Sequence, residues 1–532
     1  MYSSYTTLQR AQLARQEYID TQEVFLGVFA PGRRKALEAS LRDQLHRKFL
    51  LTDTLNTDAL SGAAGVLLVK EDTELMCTAL SFFADALRKG ADYVTSDAVF
   101  GYAGATVLYQ SAGFRACPGC ALVSMELLRR CRAEARDPEN PTELLTLAAA
   151  FSQHHVSLPE ALAHYERDIC AEDVWSEGGK RVFIMSHLLD MTGAPIVLVS
   201  AVPVLRSLGY EVVVLGPEDG GSMQLFLDAG AVVITRRGCV QSPLLWGLAL
   251  CSDLVIANTV VEARAVRALS GARVPVLWWL HDAFAGYPHI AHQIPKELDN
   301  NVRLYSVGSH AANAMHSVRP EFEIRPLIYG LPDYAAETFS HYDLSYAGGR
   351  PLFATVGSFE NRKGQDIFCK AIRLLPPETM KKASFLFVGK AADADMMDAV
   401  RSLTDDCPEN VFYVKRLSRD EIKSLMEQCT CLVCASRDDP MPTFVTEGLI
   451  FGKPAIVSEH TGTAGLITEG VDGFVYRDDD PQQLADRLAW AIEHPEELNA
   501  MHPACRRLYE THYSKQAFAD ALAQAVAEMT GR

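Results

Sequence analysis

From Lys180 onward, short runs of almost continuously apolar residues alternate with longer stretches of helical character, and this alternation constrains the fold more than any other feature of the chain. RVFIMS (181–186), EVVVLG (211–216), AVVITR (231–236), DLVIAN (253–258) and PVLWWL (275–280) are too apolar for strands wet on one face. Bounded by turn residues, they read as parallel strands buried on both faces. Helical runs such as APIVLVSAVPVLRSLG (194–209) separate some of them, with Gly209 standing where a helix stop is expected. After a Ser-, Tyr- and Gly-containing stretch around 334–350 the pattern resumes, with PLFATVG, SFLFVG, VFYVK, TCLVCAS and PAIVSE as strands and QDIFCKAIRLL and RDEIKSLMEQ as helices. The expected fold class is α/β, with two Rossmann-like domains at 180–335 and 350–510, a C-terminal helix at 511–532, and a ligand cleft at the domain boundary.

The preceding residues, 1–172, read more faintly as a smaller α/β module. EVFLGVF, KFLLTDT, GVLLVKED and ADYVTSD are strand candidates, and ALEASLRDQL and ALSFFADALRKG are amphipathic helices. LPEALAHYERDICAEDVWSEGGK (158–180) begins as a helix-like run and gives way to a Gly-Gly linker before the first Rossmann-like strand.

Charge and cysteine usage narrow the function. A net charge of -17 on 532 residues speaks against a general attraction to nucleic acid or anionic lipid. The polar N-terminus is unlike a secretory signal and the apolar runs are too short to span a bilayer, so a soluble cytoplasmic protein is expected, and peripheral membrane contact stays compatible with it. The 13 cysteines form no regular framework and fit reduced thiols. Cys117-Pro-Gly-Cys120 has no second half-site at ligand spacing, so we read a turn with inert thiols rather than a redox or zinc centre. Cys429, Cys431 and Cys434 suit a buried central strand better than a metal.

Four segments hold residues fit for chemistry. TCLVCAS runs into RDDPMPT and the short helix FVTEGLIF, which sets Asp439 outside the carboxyl end of a strand and Glu447 inside the following helix. On spacing alone, a helix cap and a solvated helix residue are the better account of the pair. PLFATVG runs into SFENRKGQD, placing Ser358, Arg362, Lys363 and Gly364 at a neighbouring strand end. Each cation there offers about 4 kcal/mol of attraction to a developing negative charge at contact distance and an effective dielectric near 20; an exposed basic turn is the plainer account. The turn Thr192-Gly193-Ala194 opens a helix whose amides suit an anion, although one glycine is a weak signal. His281 and Asp282 follow PVLWWL, and a lone histidine there is more often structural than functional.

Taken in order, SHLLDMTGAP, SDLVIANTV leading to WWLHDAF, TVGSFENRKGQD, SRDDPMPTFVTEGLIFGKPAIVSEHTG and EGVDGFVY resemble a retaining glycosyltransferase of the family-4 type, with the two-domain GT-B architecture, over some 350 residues. The resemblance implies that Asp439 approaches the donor sugar, Glu447 the nucleotide ribose, and Lys363 with Arg362 the diphosphate. It places Asp439, Glu447 and His281 as the catalytic set, and Gly193, Ser358, Thr461, Gly462 and Thr463 with the donor. Asp439 stands where Glu is usual, and Ser358 where Arg is common. The implied reaction moves a hexose from a nucleotide-sugar donor to a glycan or lipid-linked acceptor with retention, for surface polysaccharide, with neither a metal nor another cofactor required. A nucleotide-sugar epimerase or phosphorylase on the same fold, and a non-enzymatic sugar-binding or scaffold protein, are the alternatives.

The region 1–172 resembles, more distantly, a family-2 glycosyltransferase of the GT-A type, on ALEASLRDQLHRKFLLTDT, GVLLVKEDTELMCTALSFFADAL, ADYVTSDAVF and SLPEALAHYERD. Lys70-Glu71-Asp72 falls where relatives carry an Asp-x-Asp metal site, and a lysine there repels a divalent cation. The resemblance therefore implies a degenerate, non-catalytic module.

Overall fold

The computed structural model describes residues 23–32, 35–55, 58–70, 73–101, 106–110, 119–165, 167–239, 246–477 and 480–531. The chain divides into two compact units, one made of Met1–Ala257 and Arg264–Val276 and the other of Asn258–Ala263 and Leu277–Arg532.

The first unit is built on one mixed sheet. Its strands are β1 (Leu26–Phe29), β2 (Phe49–Thr52), β3 (Gly65–Val69), β4 (Glu74–Leu75), β5 (Tyr93–Phe100), β6 (Thr106–Tyr109), β7 (Cys120–Ser124), β8 (His155–Tyr165), β9 (Lys180–Ser186), β10 (Tyr210–Gly216), β11 (Val232–Thr235) and β12 (Leu254–Asn258, whose last residue falls to the second unit). The order runs β12-β9-β10-β11-β6-β5-β7-β3-β1-β2, with β8 beside β4 and β5. β9, β10 and β11 are parallel, as their unbroken apolar character predicts. The sheet does not stop there: β11 pairs antiparallel with β6, Val233 opposite Tyr109 and Thr235 opposite Val107. Tyr109 donates its hydroxyl to Asp219 at 2.5 Å and Arg236 donates to Thr106 at 3.1 Å across the same seam.

One expectation fails here. The helix-like start of 158–180 is instead β8, which runs parallel to β5 from Tyr93↔His155 to Phe100↔Tyr165 with irregular register at Ser96 and Asp97, and antiparallel to β4. Glu160, Ala161, Leu162, Ala163, His164 and Tyr165 are all buried between neighbours, and that burial overrides the helical preference of Ala, Leu and Glu. Lys70 ends the segment after β3, while Glu71, Asp72 and Cys117 lie outside the described residues. Cys120 is buried in β7.

The second unit contains β13 (Val276–Leu280, whose first residue belongs to the first unit), β14 (Val302–Ser306) and β15 (Ile324–Pro326), followed by a separate six-stranded sheet. That sheet comprises β16 (Leu352–Val356), β17 (Ser384–Val388), β18 (Val411–Val414), β19 (Cys431–Cys434), β20 (Ala455–Ser458) and β21 (Gly473–Tyr476), with each neighbouring pair parallel. Its order, β18-β17-β16-β19-β20-β21, is doubly wound, and the winding reverses between β16 and β19. Residues 334–350 hold only the short turns Tyr334–Ala336 and Ser345–Ala347, and Lys515–Thr530 forms the closing helix. Cys429, Cys431 and Cys434 are buried in and beside β19, where burial pushes the Cys429 thiol up to about 12 and Cys434 up to about 11. No helix among the described residues is long and apolar enough to cross a membrane.

Candidate functional site

Reversal of winding leaves a crevice outside the carboxyl ends of β16 and β19, and most of the expected site residues gather there. From β16 the chain passes through Ser358 and a tight turn, Asn361–Lys363, into the helix Gln365–Leu374. Gly364 closes that turn at φ 64°, and a Cβ on it would sit 1.9 Å from the Ala435 carbonyl oxygen. Only glycine lets this loop lie against the end of β19.

Lys363 and Asp439 meet directly. Lys363 Nζ donates to Asp439 Oδ2 at 2.5 Å, with both side chains largely buried. Ser436 Oγ lies 3.5 Å from the same oxygen. The Asp439 backbone is fastened on both sides, its N–H donating to His460 at 3.1 Å and its carbonyl accepting from Gly462 at 3.0 Å. This is an isolated parallel bridge between Asp439 and Thr461. Thr461 donates its hydroxyl to the Ser458 carbonyl and receives that of Thr463. Gly462 has no room for a side chain, since a Cβ would stand 1.7 Å from Pro440 O.

Arg362 and Ser358 form a more exposed group around Glu360. Ser358 Oγ donates to Glu360 Oε1 at 2.7 Å and Arg362 Nη2 to the same oxygen at 3.1 Å. Arg362 Nη1 also reaches the Asp438 carbonyl at 3.3 Å. The second carboxylate, Glu447, is buried in the helix Thr443–Ile450 and pairs with Arg419 at 2.8 Å. Burial pushes the Glu447 carboxyl above its ordinary range, and Arg419 and Lys423 offset only part of that rise. So Glu447 is no solvated helix residue, and Asp439 does not cap the helix.

His281 follows β13, its ring tilted against Trp279 with centroids 4.6 Å apart. Asp282 is turned inward and accepts the Val260 N–H at 2.6 Å, beside Thr259, which is held at the strained φ of 74°. Burial pushes Asp282 up to about 6, against the amide bonds that pull it down. Gly193 belongs to the first unit, where it opens the helix Gly193–Ser207 with open space beside it.

The residue that sequence reasoning missed is Asp438. Its carboxylate accepts the N–H groups of Phe284 at 3.0 Å and Ala285 at 2.9 Å, and lies 2.7 Å from His310 Nε2. Burial alone would raise this carboxyl, but the His310 bond and the two amides outweigh it and hold it below the usual range. Asp438 thus ties the loop carrying His281 to the loop carrying Asp439. His310 opens the helix Ser309–His316, and the preceding Gly308 packs so close that its Cβ would lie 2.7 Å from Met441 Cε. The only signal in the sequence was a second acid beside Asp439. Among the described residues, no group of three or more His, Cys, Asp or Glu is placed to hold a metal.

A doubly wound sheet with a basic turn and two acids at its switch point, following a set of Rossmann-like strands, describes the GT-B class, and the comparisons agree. Residues 178–321 match the family described as Glycosyl-transferase family 4, and residues 339–508 match Glycosyl transferases group 1. Among solved structures, HepE of Anabaena in complex with UDP and glucose superposes with a TM-score of 0.53 at 17% identity, covering 66% of this chain and 100% of that one. Sucrose-phosphate synthase of Thermosynechococcus elongatus gives 0.52 at 15% identity over 66% and 99%. At these identities the likeness shows the fold, which is α/β and GT-B. An uncharacterized glycosyltransferase of Methanocaldococcus jannaschii is 25% identical over 144 residues, 26% of this chain and 38% of the relative. Spore coat protein SA of Bacillus subtilis is 23% identical over 184 residues, 33% and 48%. The chain thus spans less than half the length of these two curated relatives.

Proposed function

We propose that the chain is a retaining glycosyltransferase that moves a hexose from a nucleotide-sugar donor to a glycan or lipid-linked acceptor, in the cytoplasm, in the building of a surface polysaccharide. The observation that carries this reading is the meeting of Lys363 with Asp439 at the switch point of the second sheet, eight residues ahead of the buried Glu447. The donor class is supported by the HepE complexes, which hold UDP and UDP-glucose.

In this reading Lys363, with Arg362, binds the diphosphate, Asp439 the sugar hydroxyls, and Glu447 the ribose. Ser358, Gly193 and the turn Thr461-Gly462-Thr463 complete the donor site, and His281 stands near the sugar. As the glycosidic bond to the donor breaks, negative charge gathers on the departing diphosphate, and Lys363 is preorganised to stabilise it because Asp439 already holds its ammonium in place. The acceptor hydroxyl attacks from the same face and its proton passes to a diphosphate oxygen, so the chain needs no nucleophile of its own. The proposal assigns the charge-stabilising role to the two side-chain cations and needs no metal or other cofactor.

The domain boundaries at 172–180, 335–350 and 510 belong to this proposal, as does a non-catalytic GT-A-like origin for 1–172. The antiparallel pairing of β6 with β11 supports a structural role for that region. The test is nucleotide release from a panel of nucleotide sugars, with and without acceptor. Glu447→Gln should lower turnover by orders of magnitude while leaving the fold intact; near-wild-type turnover would remove Glu447 from the site. Donor binding with no turnover under any acceptor would favour a sugar-binding or scaffold protein.

A further inference from the structure

The helix Arg419–Gln428 begins with a capping box, in which Ser418 accepts the Glu421 N–H and the Glu421 carboxylate accepts the Ser418 N–H. Asp420 and Glu421 suit the positive end of the helix, whereas Arg419 is the wrong charge for it. A side chain that breaks a local rule this way is compensated elsewhere, and here the compensation lies across a loop. Arg419 extends over the surface, its side chain 62% exposed, and reaches Glu447, whose side chain is 7% exposed, at 2.8 Å. On the way its guanidinium passes the Tyr334 ring, 5.7 Å from the centroid, and donates to the Tyr334 hydroxyl at 3.3 Å. Tyr334 stands at the start of the connecting segment 334–350, so helix, connector and the Glu447 helix meet at one point.

We propose that Arg419, braced by Tyr334, is the positioning residue of the nucleoside subsite: it holds Glu447 as an acceptor-only carboxylate aimed at the ribose hydroxyls. This deepens the reading above and rests on it for the role of Glu447. The physical need is direct. A ribose diol donates two O–H groups, and only the ionised carboxylate accepts both without offering a competing donor. Glu447 sits where water cannot stabilise its charge, so a fixed cation has to do so. Arginine suits the task because its Nη2 group, with two N–H donors, serves Glu447 and Tyr334 together.

The charged and titratable groups around Glu447 are few. Arg419 and Lys423 come from one helix, Tyr334 from the connector, and Tyr329 from the strand-end segment before it. Lys423 is occupied by Glu337 at 2.6 Å and Asp420 at 3.7 Å, which leaves Arg419 as the cation that contacts Glu447.

The experiment titrates the full chain with UDP, GDP and ADP by calorimetry, then follows the tightest of the three from pH 5.5 to 8.5. Each variant is read as its affinity ratio to wild type at the same pH, which cancels the titration of the nucleotide's terminal phosphate. Arg419→Gln should bind about tenfold or more weakly near pH 6, because an unpaired buried Glu447 takes up a proton, and should recover toward wild type by pH 8.5. Arg419→Lys, which restores the charge, should keep that ratio nearly constant across the window and guards against a folding defect. Glu447→Gln should be weak at every pH. An Arg419→Gln profile parallel to wild type would overturn the inference while leaving the glycosyltransferase reading in place. Wild-type affinity in Glu447→Gln would instead remove Glu447 from the ribose, and failure of all three nucleotides to bind wild type would overturn both.

Discussion

The contact that most needs testing is the one that no sequence motif announced. Asp438→Ala removes a carboxylate that accepts from Phe284, Ala285 and His310 at 3.0, 2.9 and 2.7 Å. Hydrogen bonds to a charged acceptor contribute roughly 1.5–3 kcal/mol each, but Phe284 and Ala285 stand at the surface and their amides regain water when the bond is lost. Counting about 1 kcal/mol for each of the two amides and about 1.5 kcal/mol for His310, the local cost is about 3.5 kcal/mol. At about 1.4 kcal/mol per tenfold, opening of the 281–286 loop becomes about three hundredfold easier. Amide hydrogen exchange reads this at Phe284 and Ala285, with β14 and β20 as internal references that should not change. The pH sign follows from a carboxyl held below its ordinary range: the contribution is fully present above the unfolded value of about 3.9 and is lost only as pH falls through the lower folded value. The carboxyl's own titration therefore adds no pH dependence to the gap between variant and wild type above about pH 5. Exchange at both amides within threefold of wild type would show that Asp438 does not fasten this loop.

Three further outcomes follow from the site. Gly462→Ala places a Cβ 1.7 Å from Pro440 O, so the loop holding Asp439 must move; we expect about 1–3 kcal/mol of destabilisation together with weaker donor binding, read by chemical denaturation and calorimetry. Arg362→Ala should weaken nucleotide-sugar binding about tenfold with little change in stability, since its pair with Glu360 is partly exposed; unchanged affinity would show that Lys363 serves the diphosphate alone. Cys429, Cys431 and Cys434 should stay unmodified by iodoacetamide in the native protein at pH 8, whereas the exposed Cys170 and Cys251 react first, as peptide mapping would show.

What could be read from the chain alone followed from locality. Strands buried on both faces announce themselves by unbroken apolar runs, so each strand expected from β9 to β20 stands within a residue or two of its place. β8 did not, because Leu-Pro-Glu-Ala-Leu-Ala-His carries helical composition and becomes a strand only through partners in β5 and β4, some sixty to ninety residues away. The site divides in the same way. Lys363 and Asp439 were legible because each follows a strand end, where the fold places ligands. The partners of Asp438 and Glu447 were not, since nothing local in SRDDPMPTFVTEG or LSRDEI points to Phe284, His310 or Arg419.

The adjacent acids Asp438 and Asp439 show how a single loop can divide two tasks. The two carboxylates face different partners: one turns to the loop after β13 while the next turns to Lys363. The bridge of Asp439 to Thr461 pins the backbone between them, and Gly462 allows the two strands of that bridge to close. Because the main chain is fixed on both sides, Asp439 cannot reach outward as a longer acid would, and its carboxylate rests on Lys363 instead. In the proposed reading, a donor would have to share Asp439 with Lys363, the cation assigned to its diphosphate. Sugar and diphosphate recognition would then be coupled through one ion pair, which makes residue 439 the position at which a change of acid length would alter both at once.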